Sequence, residues 1–123
     1  MLKILTIDDE RDFVDTIDSF FTPRGYKVFK ALNGTDGLEI ADRESPDIAL
    51  VDMKMPGIHG DEVLVRMKDI SPKTKVIMIT AFEGDVKIRE RLMSLGARDC
   101  LDKPLSSLKD LEAKIKQVID SNG

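Results

Sequence analysis

The sequence predicts an open, doubly wound α/β domain, a five-stranded parallel sheet flanked by five helices. Three observations carry this reading. Five short apolar runs recur along the 123 residues, each followed by a stretch with helical spacing of its apolar side chains. The links between them are a few residues long, which calls for parallel pairing through right-handed crossovers. Most of the runs are near-continuous Ile, Val and Leu, as in strands covered on both faces.

The strands are read at residues 2–7, 27–31, 47–52, 75–80 and 98–102, the last more polar and so an edge. Phe13, Ile17, Phe20 and Phe21 form one stripe of a first helix, which Pro23 and Gly25 end. A second helix, 36–43, is weakly patterned. Val63, Leu64, Met67 and Ile70 mark a third, closed by Ser71-Pro72. Ile88, Leu92 and Leu95 mark a fourth, stopped by Gly96. Leu108, Leu111, Ile115 and Val118 or Ile119 mark a fifth, with Ser107 and Asp110 as its capping pair.

Composition narrows the function. With 41% apolar and 34% charged residues, residues 1–123 read as a single domain able to bury a core. One cysteine excludes an intrachain disulfide and fits a reducing, cytoplasmic setting. Residues 1–7 are too short for a signal peptide or a membrane span. A net charge of −4 with no basic stripe argues against direct nucleic-acid binding by this domain. Asn122 and Gly123 follow the last helix directly, which fits a complete protein and a fragment cut before an effector domain equally.

Polar residues gather where such a fold places its ligands, beyond the carboxyl ends of the strands. Asp8, Asp9 and Glu10 follow strand one, and Asp52 closes strand three. Thr80-Ala81 ends strand four, and Lys103-Pro104 follows strand five. Each has a plain structural reading alone: acidic residues start helices, Thr is common in strands, and Lys-Pro makes a turn. Their joint occurrence at four strand ends defines a site. Crowded carboxylates raise one another's pKa or demand a hard cation, and Mg²⁺ suits one or two of them. Beside such a metal, a carboxylate can attack a phosphoryl group, with Thr80 and Lys103 sharing its oxygens.

These residues resemble the receiver domains of bacterial two-component response regulators. The resemblance runs from Leu2 to the last helix. It rests on Asp8-Asp9, Asp52-Met53-Lys54-Met55-Pro56-Gly57 with Gly60, Thr80-Ala81, Gly96-Ala97 and Lys103-Pro104. It implies a flavodoxin-like fold of receiver type, with Asp52 as phosphoacceptor. It also implies Mg²⁺ held directly by Asp9, Asp52 and the Lys54 backbone carbonyl, and by Asp8 through water. Thr80 and Lys103 would bind the phosphoryl group, and the bond before Pro104 would be cis. The implied donor is a sensor histidine kinase or a phosphotransfer protein. The implied receiver of the signal is an output domain, an effector protein or, on phosphorylation, a second copy of the chain. It would dock on the face built from the fourth helix, fifth strand and fifth helix. Such a domain assists its own phosphorylation and dephosphorylation and is not an enzyme acting on an external substrate.

Several residues stand apart. Cys100 occupies the place where this family usually carries a ring, and reads as a small, partly buried residue. Phe82 reads as packing at the start of the fourth helix. With Lys54 it would also hinder the hydrolytic water and lengthen the life of the phosphorylated form. His59 is the only histidine and reads as a solvated loop residue. Met53, Met55, Met67, Met78 and Met93 read as packing, and Lys109, Asp110, Glu112, Lys114 and Lys116 as the wet face of the last helix. A Mg²⁺-dependent phosphohydrolase with an aspartyl nucleophile is the alternative. It would want a second Asp at position 54, where Lys stands. A flavin module would need a loop rich in Ser, Thr and Gly after strand one, where Asp8-Asp9-Glu10 repels phosphate instead. A phosphorylation-independent scaffold has no use for the acidic cluster.

Overall fold

The computed structural model describes residues 1–121. The strands are β1 (Lys3–Ile7), β2 (Lys27–Ala31), β3 (Ile48–Val51), β4 (Lys75–Thr80) and β5 (Asp99–Asp102). They form one parallel sheet in the order β2-β1-β3-β4-β5. The helices are α1 (Arg11–Phe21), α2 (Gly34–Glu44), α3 (Gly60–Ile70), α4 (Val86–Ser94) and α5 (Leu108–Asp120). This is the predicted five-stranded doubly wound architecture. The strand order reverses between β1 and β3, so the crevice opens where Asp8 and Asp52 emerge.

Strand alternation divides the core into two layers. Leu5, Ile7, Ala49, Val51, Val76 and Met78 face α2, α3 and α4, where Leu38, Val63, Leu64 and Leu92 cover them. Ile4, Ile48, Leu50, Ile77 and Ile79 face Ile17 and Phe21 of α1 and Leu111, Ile115 and Val118 of α5. Each fully buried Leu or Ile contributes roughly 1.5–3 kcal/mol, so the central strands anchor the fold. The loops at their ends can then carry chemistry.

Several expectations need correction. β1 begins at Lys3 and β3 spans Ile48–Val51, so Asp52 is the first residue past its strand. Its backbone N–H still donates to Ile7 O (3.0 Å). β5 begins at Asp99. β2 is an edge strand too, and its Lys27 and Lys30 are exposed. In α1 the fully covered residues are Val14, Ile17 and Phe21, while Phe13 and Phe20 are only half-buried. A 3₁₀ turn, Thr22–Arg24, follows α1 before Gly25 reverses the chain at φ +97°. α2 starts two residues earlier than its pattern suggests. Asn33 caps it by accepting from Asp36 N–H, and it buries the small residues Gly34, Gly37 and Ala41 beside Leu38. α4 buries Leu92 alone, and Ile88 lies exposed. Met93 is exposed as well, unlike the packed Met55, Met67 and Met78.

The last helix also differs from its predicted wet face. Ser107 caps it as expected, accepting from Asp110 N–H (2.9 Å). Glu112 is buried, because Tyr26 Oη donates to it (2.9 Å) and the Arg24 guanidinium pairs with it (2.7 Å). Burial first, then this carboxylate, pushes the Tyr26 phenol up to about 12. Lys75 closes the other end of α5 by donating to the carbonyls of Val118, Ile119 and Ser121. The reading of the chain end concerns Asn122 and Gly123, outside the described residues. No helix among the described residues is long and apolar enough to cross a membrane.

Candidate functional site

The site forms because parallel strands deliver their last residues to one edge. Asp8 follows β1 and is buried, its backbone N–H fixed on Ala31 O (3.0 Å). Its Oδ1 accepts from Glu10 N–H (2.9 Å), and its Oδ2 meets Lys103 Nζ at 2.6 Å. Asp52, also buried, accepts from Met53 N–H through Oδ1 (2.8 Å). Its Oδ2 lies 3.9 Å from Lys103 Nζ. Carboxylate oxygens of Asp8, Glu10 and Asp52 come within 4.8 Å of one another.

The electrostatics follow from this crowding. Burial pushes the Asp8 carboxyl up, and the charge of Asp52 adds to the rise; the bonds from Lys103 and Glu10 N–H offset it only in part. Burial alone would lower Lys103, yet the carboxylates of Asp8 and Glu10 outweigh it and hold the ammonium above the ordinary lysine value. One cation shared among three carboxylates leaves the cluster net negative. The donor set of hard carboxylate oxygens fits a divalent cation such as Mg²⁺.

Glu10 is the site residue that sequence reasoning left unassigned. Its carboxylate stands 2.8 Å from Lys103 Nζ although its side chain is 66% exposed, and the Phe13 ring lies 4.6 Å from the same ammonium. The signal was its place beside Asp8-Asp9, which did not distinguish it from a helix-starting acid. Asp9 is exposed and outside the three-carboxylate group. Thr80 ends β4, buried, in register with Asp102. Its carbonyl accepts from the N–H of Phe82 and of Lys103 (both 3.1 Å), which ties both loops to one strand end. The Lys103–Pro104 bond is cis.

The remaining expected residues surround this centre. Lys54 is exposed and, with Met53, Thr80, Phe82 and Ile88, lines a hollow of about 220 Å³. Phe82 packs partly on the core, as its plain reading held. A larger groove of about 620 Å³ runs past Glu10, Phe13, Lys103, Pro104 and Leu108. Gly60, the first residue of α3, donates its N–H to Met53 O (2.8 Å) and so ties that helix to the loop after β3. His59 is exposed at the N-terminus of α3. Cys100 is 4% exposed on β5, and burial pushes its thiol up, against a reactive thiolate.

An acidic cluster with one lysine, at the switch point of a 2-1-3-4-5 sheet, defines a phosphoacceptor domain. The chain belongs to the response regulator receiver domain family, whose pattern it matches over residues 4–116. It is 39% identical to sporulation initiation phosphotransferase F of Bacillus subtilis over 95% of this chain and 93% of that protein. It is also 37% identical to a probable transcriptional regulator, ycf27, of Porphyridium aerugineum; there 95% of this chain spans only 48% of the relative. Among solved structures, a CheY-like receiver domain protein of Methanospirillum hungatei matches with a TM-score of 0.88 at 29% identity, over 98% of this chain and 94% of that one. A receiver domain of Clostridium thermocellum matches at 0.87 and 34%, over 98% and 95%. The response regulator TrrA of Thermotoga maritima, solved with Mg²⁺ and BeF, matches at 0.83 and 28%, over 96% and 99%. The protein is thus a receiver domain with a phosphoacceptor role in two-component signalling, and the phosphohydrolase alternative finds no support.

Proposed function

We propose that Asp52 accepts a phosphoryl group from a phosphohistidine of a sensor kinase or phosphotransfer protein. The observation that carries this is Asp52 Oδ2, buried beside Lys103 Nζ at 3.9 Å and crowded by Asp8 and Glu10. An oxygen of Asp52 forms the new bond to phosphorus. The donor's P–N bond breaks, and its electron pair stays on the departing imidazole. Lys103 then follows the new negative charge, for which its ammonium already stands within reach. Thr80, at the adjacent strand end, offers its hydroxyl to a second phosphoryl oxygen.

A bound Mg²⁺ supplies neutralisation of the charge shared by the carboxylates and the phosphoryl oxygens. Asp52 and Asp9 would hold it directly with the Lys54 carbonyl, and Asp8 through water. Glu10, drawn to Lys103, keeps the ammonium near Asp8 until the phosphoryl group arrives. The structure of TrrA with Mg²⁺ and BeF supports such a site by likeness. The domain assists its own phosphorylation and hydrolysis and has no external substrate. Its output is a shift of the face built from α4, β5 and α5, read by an output domain, an effector protein or a second copy of the chain, in the cytoplasm.

Labelling with acetyl phosphate in Mg²⁺ tests the proposal. Wild type is expected to take up label that Asp52→Asn and chelator both abolish. Equal labelling of wild type and Asp52→Asn would refute it.

A further inference from the structure

β5 ends in a set of bonds that the phosphoacceptor site does not use. The carboxylate of Asp102 turns to the loop between β4 and α4. Its Oδ1 accepts from the N–H of Phe82 (3.2 Å) and Glu83 (3.4 Å), and its Oδ2 from Gly84 N–H (3.1 Å). Three successive backbone N–H groups on one anion make a nest, filled here by the protein's own side chain. The loop shape this requires is a costly one. Glu83 stands at φ +53° and Gly84 at φ +72°, and a residue with a side chain resists the left-handed region. The carboxylate therefore stabilises a conformation that Glu83 by itself disfavours.

β5 grips α4 at a second point. Arg89 donates to Cys100 O (2.6 Å) and to Asp99 Oδ1 (3.0 Å). Cys100 carries no ring that could swing between two positions. Polar ties thus join β5 to the segment that begins at Thr80, beside the apolar cluster that Cys100 and Leu92 share. Asp102 is placed to use them, since it pairs in register with Thr80 and immediately precedes Lys103.

We propose that Asp102 is a positioning residue that holds the loop after Thr80 in its resting shape and so opposes the move of Thr80 toward a phosphoryl group on Asp52. The inference rests on the roles proposed above for Asp52 and Thr80. Without the Asp102 carboxylate the loop leaves its resting shape readily, and the phosphorylated arrangement becomes easier to reach. With the strain at residue 83 removed, the resting shape deepens and that arrangement becomes harder to reach.

Two variants with opposite expectations test this. In unphosphorylated Asp102→Ala, hydrogen exchange at the amides of residues 83 and 84, which have no acceptor other than Asp102 among the described residues, is expected to rise about tenfold, the loss of about 1.4 kcal/mol of charge-assisted bonding. Labelling of Asp52 by acetyl phosphate should become several-fold faster. In Glu83→Gly, the same amides should exchange more slowly and labelling should slow. Unchanged exchange in Asp102→Ala would overturn the hold itself. Faster exchange with labelling unmoved, or moved the same way in both variants, would overturn the opposition to Thr80. The exchange measurement needs no phosphoryl group, so it decides on Asp102 even if wild type fails to label and the phosphoacceptor reading falls.

Discussion

Lys103 Nζ lies 2.6 Å from Asp8 Oδ2, a carboxylate only 1% exposed, so the ammonium balances a charge that water cannot reach. Asp52 adds a second carboxylate to the same ammonium at 3.9 Å. Before phosphorylation the site is therefore a repulsive cluster held by one cation, and its stability should reveal this.

Asp52→Asn removes the like charge that, after burial, raises Asp8. In Mg²⁺-free buffer at pH 7 the variant should be more stable than wild type by about 1 kcal/mol. Added Mg²⁺ should narrow the gap, because binding stabilises the wild type more. Lys103→Met should do the reverse, costing about 2–3 kcal/mol at pH 7 by stranding a buried carboxylate. That cost should shrink as pH falls, because a carboxyl held above its ordinary value takes up its proton sooner. Urea denaturation with and without Mg²⁺ checks all three expectations.

Gly60 controls the geometry of Asp52 from outside the cluster. A Cβ there would collide with the carbonyl oxygen of Asp52 and stand 2.8 Å from Met53 Cα. Backbone cannot yield as a flexible side chain does, so the Asp52-Met53 turn must shift. Gly60→Ala is expected to lower the rate of acetyl phosphate labelling by tenfold or more, since small misplacements near reacting atoms cost about that much or more. Far-ultraviolet circular dichroism should stay native. Wild-type labelling in a folded Gly60→Ala protein would show that the turn has slack.

Lys54 and Phe82 share the wall of the hollow that opens beside Thr80. A water attacking phospho-Asp52 from that side must pass them. Lys54→Asn and Phe82→Ala should each shorten the life of the phosphorylated form severalfold, followed by loss of label over time. Unchanged or slower decay in both variants would remove the hindrance from the account.

The strand ends were legible in the sequence because strands buried on both faces leave polar residues few places to go. Asp8, Asp52 and Thr80 stood out as the first polar groups after apolar runs, and Lys103 by its place just after the fifth strand. Less legible was everything decided by contacts between elements. Glu112 looks like one more solvated charge on α5 until Tyr26 and Arg24 arrive from 86 and 88 residues away to bury it. Ile88 fits a helical stripe, yet α4 meets the sheet so lightly that it stays exposed. Asn33 capping α2 lay hidden because that helix packs through small residues, which leave little periodic signal.

Cys100 yields a direct test of its own environment. Its thiol is 4% exposed and pushed up by burial, with Arg89 lowering it only in part. Iodoacetamide at pH 7.5 should leave the native protein almost unlabelled and react fully after urea is added. Rapid native labelling would show an accessible, reactive thiol and overturn the buried reading.

Asp99 of β5 ties its strand to two helices, with Arg89 of α4 at 3.0 Å and Lys114 of α5 at 2.9 Å. Burial alone would raise its carboxyl. The bonds from Lys114, Cys100 N–H and Arg89 outweigh that and hold it below the ordinary value of 3.8. A depressed folded pKa means that the unfolded chain binds the proton first as pH falls. The contribution of Asp99 is therefore intact well above pH 3.8 and fades as pH drops below it toward the folded value. Asp99→Asn should cost about 1–2 kcal/mol at pH 7, and the difference from wild type should narrow as pH falls below 3.8. Hydrogen exchange should locate the loss in α4, which buries only Leu92 and leans on these ties. A pH-independent difference would mean that Asp99 serves by shape alone, and that α4 is held by something other than charge.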